Sequence, residues 1–467
     1  MILKIKNLGQ VKEATLGESN LRVIVGDNGT GKTLLLETEA LINNHFKIES
    51  SIMAEELYSF VHDDIKMDLN WKKLYDYIRV FRSNRNASIQ LKCTFSIDEE
   101  SFINEKFYEL TRKIESYLIE KVNKEVLLAK ETPLEIEFVD LPDLIQQETV
   151  DMEFQGDGED CFFYGLIRGS IAGIININEI EKMDSNFANA SFLNNDGMKI
   201  KYLTIADIKK RFEEEFKVQF LNSLISSYFA EKNILFLPSE RNLFMDNAIN
   251  RTLYENSINR SIEGDKDFKL RYSEHLFNKS YLEFKNVFKR HGEVVNKIIS
   301  HHPLEPSLRK LFEGRPTFDE NGEFSDLIKD NGQKIKRELF STKQNRLIPY
   351  VLIMDPMKRY KEIIIEEPEA HLSLKSIRQF IGFLKELLRK DYNVTLTTHS
   401  DVFFTHLNNF ILNNSEINVT VYELKNIADQ STLEEKTKGE DGYEIDLFSK
   451  ELDMLFEDTL DIQKKEN

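Results

Sequence analysis

Residues 26–33 read Gly-Asp-Asn-Gly-Thr-Gly-Lys-Thr, a complete match to the pattern G-x-x-x-x-G-K-[ST]. The preceding run, LRVIV at 21–25, predicts a strand, and the following run, LLLETEALI at 34–42, predicts a helix. A glycine-rich loop between a strand and a helix is the setting in which this pattern binds phosphate. The alternative is a glycine turn that only opens an ordinary helix.

Each residue type in this loop has a chemical reason to be there. Glycines let backbone N–H groups curve around phosphate oxygens without a clash from a Cβ atom. The Lys32 ammonium would reach the β- and γ-phosphates, and the Thr33 hydroxyl would ligate Mg²⁺. The positive end of the following helix faces the same anion. The loop therefore predicts a site for ATP and Mg²⁺, and its predicted nucleotide-binding residues are Gly26, Asn28, Gly29, Gly31, Lys32 and Thr33.

Two glutamates end a second apolar strand. The run IIIEE at 363–367 places Glu366 and Glu367 at the carboxyl end of that strand, which is the end where parallel α/β sheets bind ligands. In this interpretation Glu366 holds Mg²⁺, directly or through water, and Glu367 polarises the attacking water. Without the glycine loop, the same pattern would indicate only a strand that reaches solvent.

Two histidines near these acids are further candidates. His399 follows the next predicted strand, NVTLTT at 393–398, and would hydrogen-bond the γ-phosphate or the attacking water. A purely structural histidine at a strand end is the alternative. His371 lies in the loop PEAHL after the glutamates, where it either approaches a partner subunit or only caps the loop.

Composition limits the classes of protein. The chain has 467 residues, enough for two or three structural units, and 41% of them are hydrophobic and 30% charged, as in a soluble globular protein. No run approaches the roughly 18 apolar residues of a membrane helix, and the N-terminus is too polar for a signal peptide. Two cysteines, Cys93 and Cys161, exclude a disulfide framework and a multi-cysteine zinc site. A cytoplasmic protein is expected.

The net charge of −18 argues against a protein coated in basic surface for non-specific binding of nucleic acid. It leaves a local basic groove possible, because steering depends on where the charges lie.

Hydrophobic spacing predicts α/β elements at both ends of the chain. Predicted strands cover residues 2–6, 21–25, 234–238, 363–367, 393–398 and 418–424. Runs at 88–96, 134–140, 151–154 and 161–167 predict a mostly antiparallel sheet, and residues 314–324 predict a hairpin with a turn near Asn321 and Gly322. Predicted helices cover residues 102–128, 205–231, 253–300, 373–390 and 446–460.

The ordered set GDNGTGKT, IIIEEPEAHL and TTHS resembles the ABC-class ATPase heads of the SMC, RecF and OLD (overcoming lysogenization defect) families. The runs LKIKNLGQVKEATL, FLPSER and GYEIDLF are also similar to OLD-type ATPases. The resemblance implies an α/β P-loop NTPase, an ABC-type head with an antiparallel β lobe and a large helical insertion. It implies lobe I at 1–180, the mainly helical insertion at 181–330 and lobe II at 331–467. It also implies ATP hydrolysis to ADP and phosphate, with ATP held between two heads of a homo-oligomer.

The resemblance places an ABC signature in STKQNRLIP at 341–349. Ser341 and Thr342 fit that pattern and would contact nucleotide, but Lys343 stands where relatives carry glycine. If this segment points across a head interface, the Lys343 ammonium would reach the partner's γ-phosphate as an arginine finger does. The alternative is a tolerated surface lysine. The glutamine loop of ABC heads has no clear counterpart.

Three functions are compatible with these features. The first is an ATPase that serves as sensor or scaffold of an anti-phage defence complex and controls a separate effector, a nuclease or a toxin. We expect no nuclease domain in this chain, because the residues after Ser400 leave no room for the Toprim domain of OLD nucleases. The second is a RecF-like DNA-repair ATPase, and the third is a nucleotide-dependent assembly module with little turnover. The net charge favours protein partners over bare DNA, and the lack of long coiled-coil arms disfavours an SMC-type tether.

Overall fold

A computed structural model describes residues 2–74, 76, 88–97, 100–127, 132–139, 147–157, 162–167, 170–176, 205–228, 233–240, 271–319, 322–427 and 430–466. The chain divides into two compact units. Unit one comprises Met1–Asn44, Ser116–Val139 and Lys232–Asn467, and unit two comprises His45–Glu115 and Asp140–Glu231. These bounds run across the expected divisions at 180 and 330, which mark functional lobes and stay a prediction.

The described strands, in chain order, are β1 (Ile2–Leu8), β2 (Val11–Leu16), β3 (Leu21–Gly26), β4 (Ile65–Leu69), β5 (Ser88–Ile97), β6 (Glu135–Val139), β7 (Gln147–Asp157), β8 (Phe162–Ile167), β9 (Ser170–Asn176), β10 (Ile234–Leu237), β11 (Arg315–Phe318), β12 (Phe324–Ile328), β13 (Lys334–Lys336), β14 (Glu362–Glu366), β15 (Asn393–Thr398), β16 (Val419–Ile427) and β17 (Gln430–Glu435). The described α-helices are α1 (Lys32–Val61), α2 (Glu100–Glu125), α3 (Ile205–Tyr228), α4 (Tyr272–His301), α5 (Glu305–Phe312), α6 (Thr342–Leu347), α7 (Leu374–Arg389), α8 (Asp401–Leu412) and α9 (Asp446–Glu466). Short 3₁₀ segments lie at Arg337–Leu339 and Ile348–Met354.

Unit one is built on a large mixed sheet with the strand order β10-β14-β15-β3-β16-β17-β2-β1-β6. The five strands from β10 to β16 are parallel, so their carboxyl ends meet at one edge. The remaining part is mixed, with antiparallel pairs β16–β17, β1–β2 and β1–β6 and a parallel pair β17–β2. The parallel part places the ends of β3, β14 and β15 side by side.

Burial explains why these segments form the centre of the sheet. Every residue of β3 and of β14 is buried, as expected for parallel strands covered on both faces. Helix α7 contributes an apolar stripe with the spacing of one helix face, which packs into the same core as β3 and β14. The stripe consists of Ile377, Phe380, Phe383, Leu384, Leu387 and Leu388.

Unit two contains a five-stranded antiparallel sheet with the order β4-β5-β7-β8-β9. Helix α3 packs phenylalanines against it: Phe220 stacks on Phe95 with ring centroids 4.2 Å apart, and Phe216 meets Phe154 at 5.9 Å. The predicted antiparallel sheet is thus confirmed for three of its four runs. The run 134–140 was wrongly included. It forms β6, which pairs with β1 in the large sheet, because its buried Ile136 lies opposite Ile5 in that register.

The segment 271–340 combines helices with a small sheet. The hairpin predicted at 314–324 is confirmed as β11 and β12, and β13 adds a third antiparallel strand. Gly322 has a φ of 75° at its turn, while Asn321 lies outside the described residues. The helix predicted at 253–300 is described from Tyr272 onward as α4. None of the described helices is long and apolar enough to cross a membrane.

Candidate functional site

The glycine loop joins the end of β3 to the start of α1. Gly29 and Gly31 have φ values of 81° and 98°, a left-handed region that other residues rarely adopt. A Cβ atom on Gly31 would lie 2.7 Å from the Val11 Cγ2 atom, whereas one on Gly29 would meet nothing within 4 Å. Both positions need glycine for their backbone, and Gly31 also needs it for lack of space.

Lys32 is almost entirely buried at the base of this loop, with 7% of its surface exposed. Its Nζ atom donates hydrogen bonds to the carbonyl oxygens of Gly26 and Asp27, at 2.6 and 2.7 Å. Burial lowers the pKa of Lys32, while the charge of Glu367 acts most strongly in the opposite direction. The loop therefore holds an ammonium group whose ligand-free partners are carbonyl oxygens.

Glu366 is the last residue of β14 and links two other elements. Its Oε1 atom accepts a hydrogen bond from the Thr33 hydroxyl, and its Oε2 atom accepts one from the Ser239 N–H at 3.1 Å. Burial raises the pKa of Glu366, and these two hydrogen bonds oppose that rise. The structure thus brings the two predicted metal ligands, Thr33 and Glu366, into direct contact.

The donor set of this contact fits Mg²⁺. A hydroxyl and a carboxylate are hard oxygen ligands, and Mg²⁺ in phosphate sites is typically bound by one or two protein groups, with water and phosphate completing its shell. In the described part of the chain, no group of three or more His, Cys, Asp or Glu side chains forms a self-sufficient metal cage. A site completed by phosphate oxygens agrees with both observations.

Glu367 and His399 lie next to each other beyond the ends of β14 and β15. The His399 Nδ1 atom is 3.2 Å from the Glu367 Oε1 atom, and the Glu367 N–H donates to the carbonyl oxygen of Thr397 at 3.1 Å. Glu367 has a φ of 44°, which is unusual for a residue other than glycine and is typical of functional sites. This geometry presents one carboxylate, with a neighbouring imidazole, next to the glycine loop.

Two buried acids near the site were not predicted from the sequence. Glu369 accepts a hydrogen bond from the Thr398 hydroxyl at 2.5 Å, and its buried Oε2 atom has no donor in the described part of the chain. On α1, Glu37 accepts from the Ser273 N–H at 3.1 Å. Burial raises the pKa of both carboxyl groups. The only sequence signal was the density of acids in EEPEA and in LLLETE.

The signature-like segment forms helix α6, which begins with a capping box. The Ser341 hydroxyl accepts from the Gln344 N–H, and the Gln344 side chain accepts from the Ser341 N–H at 2.9 Å. The Lys343 Nζ atom lies 3.3 Å from the Glu313 Oε1 atom of the same chain. Within one chain, Ser341, Thr342 and Lys343 are not brought against the glycine loop, and their roles across an interface stay predictions.

The remaining candidates are exposed. Asn28 lies at the tip of the glycine loop. His371 is exposed and has a φ of 64° in the loop between β14 and α7. The structure places both on the surface of unit one, and their predicted roles stay open to test.

The fold and the site define a mixed α/β unit with a glycine loop, a hydroxyl–carboxylate pair and a carboxylate–imidazole pair at one edge of its sheet. Three solved SMC structures are similar to the whole chain. A Smc head bound to the C-winged helix domain of ScpA has 13% identity and a TM-score of 0.34, over 93% of this chain and 97% of that one. A Pyrococcus furiosus Smc head with an extended coiled coil, bound to the C-terminal domain of ScpA, has 13% identity and a TM-score of 0.31, over 98% of each chain. The SMC head from Thermotoga maritima has 12% identity and a TM-score of 0.29, over 93% and 97%.

No protein-family model matches the chain, and no curated protein matches it. At these identities and TM-scores the similar structures carry no argument about function. The functional argument rests on the geometry of the site.

Proposed function

We propose that this chain is an ABC-type ATPase that binds Mg-ATP and hydrolyses it to ADP and phosphate. The observation that carries the proposal is the contact between Thr33 and Glu366, with Glu367 and His399 beside it at the same sheet edge. Phosphoryl transfer requires positioned donors for the phosphates, oxygen ligands for a metal and a group that orients water. Residues suited to each task lie here on adjacent elements.

Nucleotide binding would rest on the glycine loop and Lys32. The loop offers backbone N–H groups and the N-terminal end of α1, both of which favour an anion. The Lys32 ammonium, now bonded to the carbonyl oxygens of Gly26 and Asp27, is close enough to the loop to share its protons with phosphate oxygens.

Thr33 and Glu366 would hold Mg²⁺, which when bound neutralises charge on the phosphates. Glu366 is suited to this task because its buried carboxylate is already oriented by Thr33 and Ser239. A cation next to it would also relieve the cost of burying its charge.

Glu367 would orient the water that attacks the γ-phosphate. It is less buried than Glu366, with a quarter of its side-chain surface exposed, so water can reach it. The imidazole of His399 contacts the same carboxylate and would hold its orientation, or hydrogen-bond the γ-phosphate itself.

In the cell, we propose that the ATPase is the cytoplasmic sensor or scaffold subunit of an anti-phage defence complex. It would act as a homo-oligomer joined through ATPase heads and control a separate nuclease or toxin. The support for this wider role is the sequence resemblance to OLD-type ATPases together with the acidic net charge of −18, which favours protein partners over bare DNA.

The test is steady-state hydrolysis of ATP by the full chain, with Glu367→Gln compared with Glu440→Gln. Glu440 is exposed in a distant segment and gives a matched change of charge. We expect Glu367→Gln to bind ATP normally and to lose about 10²–10⁴-fold in kcat, as when a water-activating group is removed. The control should keep its turnover. Equal turnover of both variants, or a wild-type chain that binds no ATP, would contradict the proposal.

A further inference from the structure

A second layer of contacts stands behind the Thr33–Glu366 pair. Ser239 follows the carboxyl end of β10, the edge strand that pairs in parallel with β14. Its backbone is used in both directions: the N–H donates to the Glu366 Oε2 atom at 3.1 Å, and the carbonyl oxygen accepts from the Arg346 Nη1 atom. One peptide segment therefore connects the candidate metal carboxylate to an arginine of helix α6.

Arg346 is itself buried, with only 6% of its surface exposed. A buried guanidinium is retained at a cost in desolvation, which only well-oriented partners offset. Hydrogen bonds arranged in series polarise one another, so a cation on the Ser239 carbonyl strengthens the hydrogen bond that the Ser239 N–H donates. Arg346 thus acts on Glu366 without touching it.

We infer that Arg346 is a positioning residue for the metal site: through Ser239 it fixes the orientation of Glu366 toward Thr33, and so sets the affinity for Mg²⁺. The inference rests on the proposed ATPase function. It also gives α6 a route to the site, because a displacement of this short helix reaches Glu366 through two hydrogen bonds. The exposed start of α6, at Ser341 and Thr342, is where a contact could cause such a displacement.

The decisive variants are Arg346→Met, which removes the charge and the donors, and Arg346→Lys, which keeps a charge and one donor. Arg378→Met is the matched control, because Arg378 is exposed on α7. Two measurements are made on the full chain. The first is the Mg²⁺ concentration that half-saturates binding of a fluorescent ATP analogue and ATP hydrolysis. The second is the affinity for the same analogue in EDTA.

We expect Arg346→Met to raise the half-saturating Mg²⁺ concentration about 10–100-fold, the usual effect of losing an outer contact of a metal ligand. Affinity for the analogue in EDTA should stay within about twofold, since the glycine loop is unchanged. Arg346→Lys should recover part of the loss. A general structural role would instead weaken binding equally with and without Mg²⁺.

Ser239 offers a second test that does not depend on α6. Ser239→Pro deletes the N–H donor to Glu366, and Ser239→Ala keeps both backbone groups and removes only the hydroxyl. The proline variant should reproduce the Mg²⁺ shift of Arg346→Met, and the alanine variant should not. If the proline variant fails to fold, the Arg346 series alone decides.

The outcomes separate the two proposals. A wild-type chain that neither binds nor hydrolyses ATP contradicts the proposed function, and this inference with it. An active wild type with an unchanged Mg²⁺ requirement in Arg346→Met contradicts the inference alone. Equal losses in EDTA and in Mg²⁺ would also overturn it, since they assign Arg346 to the stability of the fold.

Discussion

Lys32 is the residue whose replacement tests nucleotide binding most directly. Lys32→Ala removes a buried ammonium that lies within the glycine loop on the carbonyl oxygens of Gly26 and Asp27. We expect ATP affinity to fall about 10–100-fold, which corresponds to the loss of one or two charge-assisted hydrogen bonds. Equilibrium titration measures this, with Lys438→Ala as the exposed control. Unchanged affinity would count against the phosphate-loop interpretation.

Glu369 provides a test of buried charge. Burial raises the pKa of its carboxyl group above the ordinary value of 4.5. Such a group binds its proton more tightly in the folded state, so its stabilising contribution is complete below pH 4.5 and is lost as the pH rises through the folded-state pKa. Glu369→Gln keeps an acceptor for Thr398 and removes the charge.

We therefore expect Glu369→Gln to unfold at a higher temperature than the wild type at pH 8, and the difference to shrink as the pH falls toward 4.5. Thermal unfolding in EDTA between pH 5 and pH 8 measures the trend. A difference that is constant with pH, or that grows on acidification, would show that the charge of Glu369 is not the cause.

At the scale of elements, the glycine loop allows backbone strain and steric clash to be separated. Gly29→Ala and Gly31→Ala both place a side chain at positive φ, but only the second puts a Cβ atom 2.7 Å from the Val11 Cγ2 atom. Val11 is buried in β2 and cannot turn away. We expect Gly31→Ala to cost about 1–3 kcal/mol more in the free energy of unfolding than Gly29→Ala. Denaturant titration decides, and equal costs would show that β2 yields.

Helix α6 gives a prediction that separates two interpretations of Lys343. The pairing of Lys343 with Glu313 inside one chain favours the tolerated lysine over an arginine-like finger. We expect Lys343→Gly and Lys343→Ala to keep near-normal ATP turnover, and to lose at most about 1 kcal/mol of stability, since partly exposed ion pairs contribute little. Steady-state ATPase assays measure this. Loss of most turnover in both variants would support the finger instead.

For the whole molecule, the proposal requires association of heads. An ABC-type head holds only part of an active site, so two-fold pairing is the simplest way to complete it. We expect Glu367→Gln with Mg-ATP to form a dimer or a larger assembly in analytical ultracentrifugation, and Lys32→Ala to do so much less. A wild-type chain that sediments as a monomer at micromolar concentration, with ATP and full activity, would contradict this.

The sequence by itself determined the local parts of the candidate site. Residues 21–42 predict strand, loop and helix because glycine and lysine spacing are properties of neighbouring residues. The run 363–367 and the run 393–400 could be interpreted in the same way, and the structure brings their ends together at one sheet edge. Local chemistry and the rule that parallel strands bind ligands at their carboxyl ends were sufficient for this much.

Tertiary structure alone decided the contacts that tune the site. The hydrogen bond between Ser239 and Glu366 joins residues 127 apart, and the one between Arg346 and Ser239 joins residues 107 apart. The placement of β6 beside β1 was likewise set by which buried faces match, since its alternation of burial fits more than one sheet. Periodicity says which face of a strand is buried and never which strand lies next to it, so only the folded sheet order could reveal these partners.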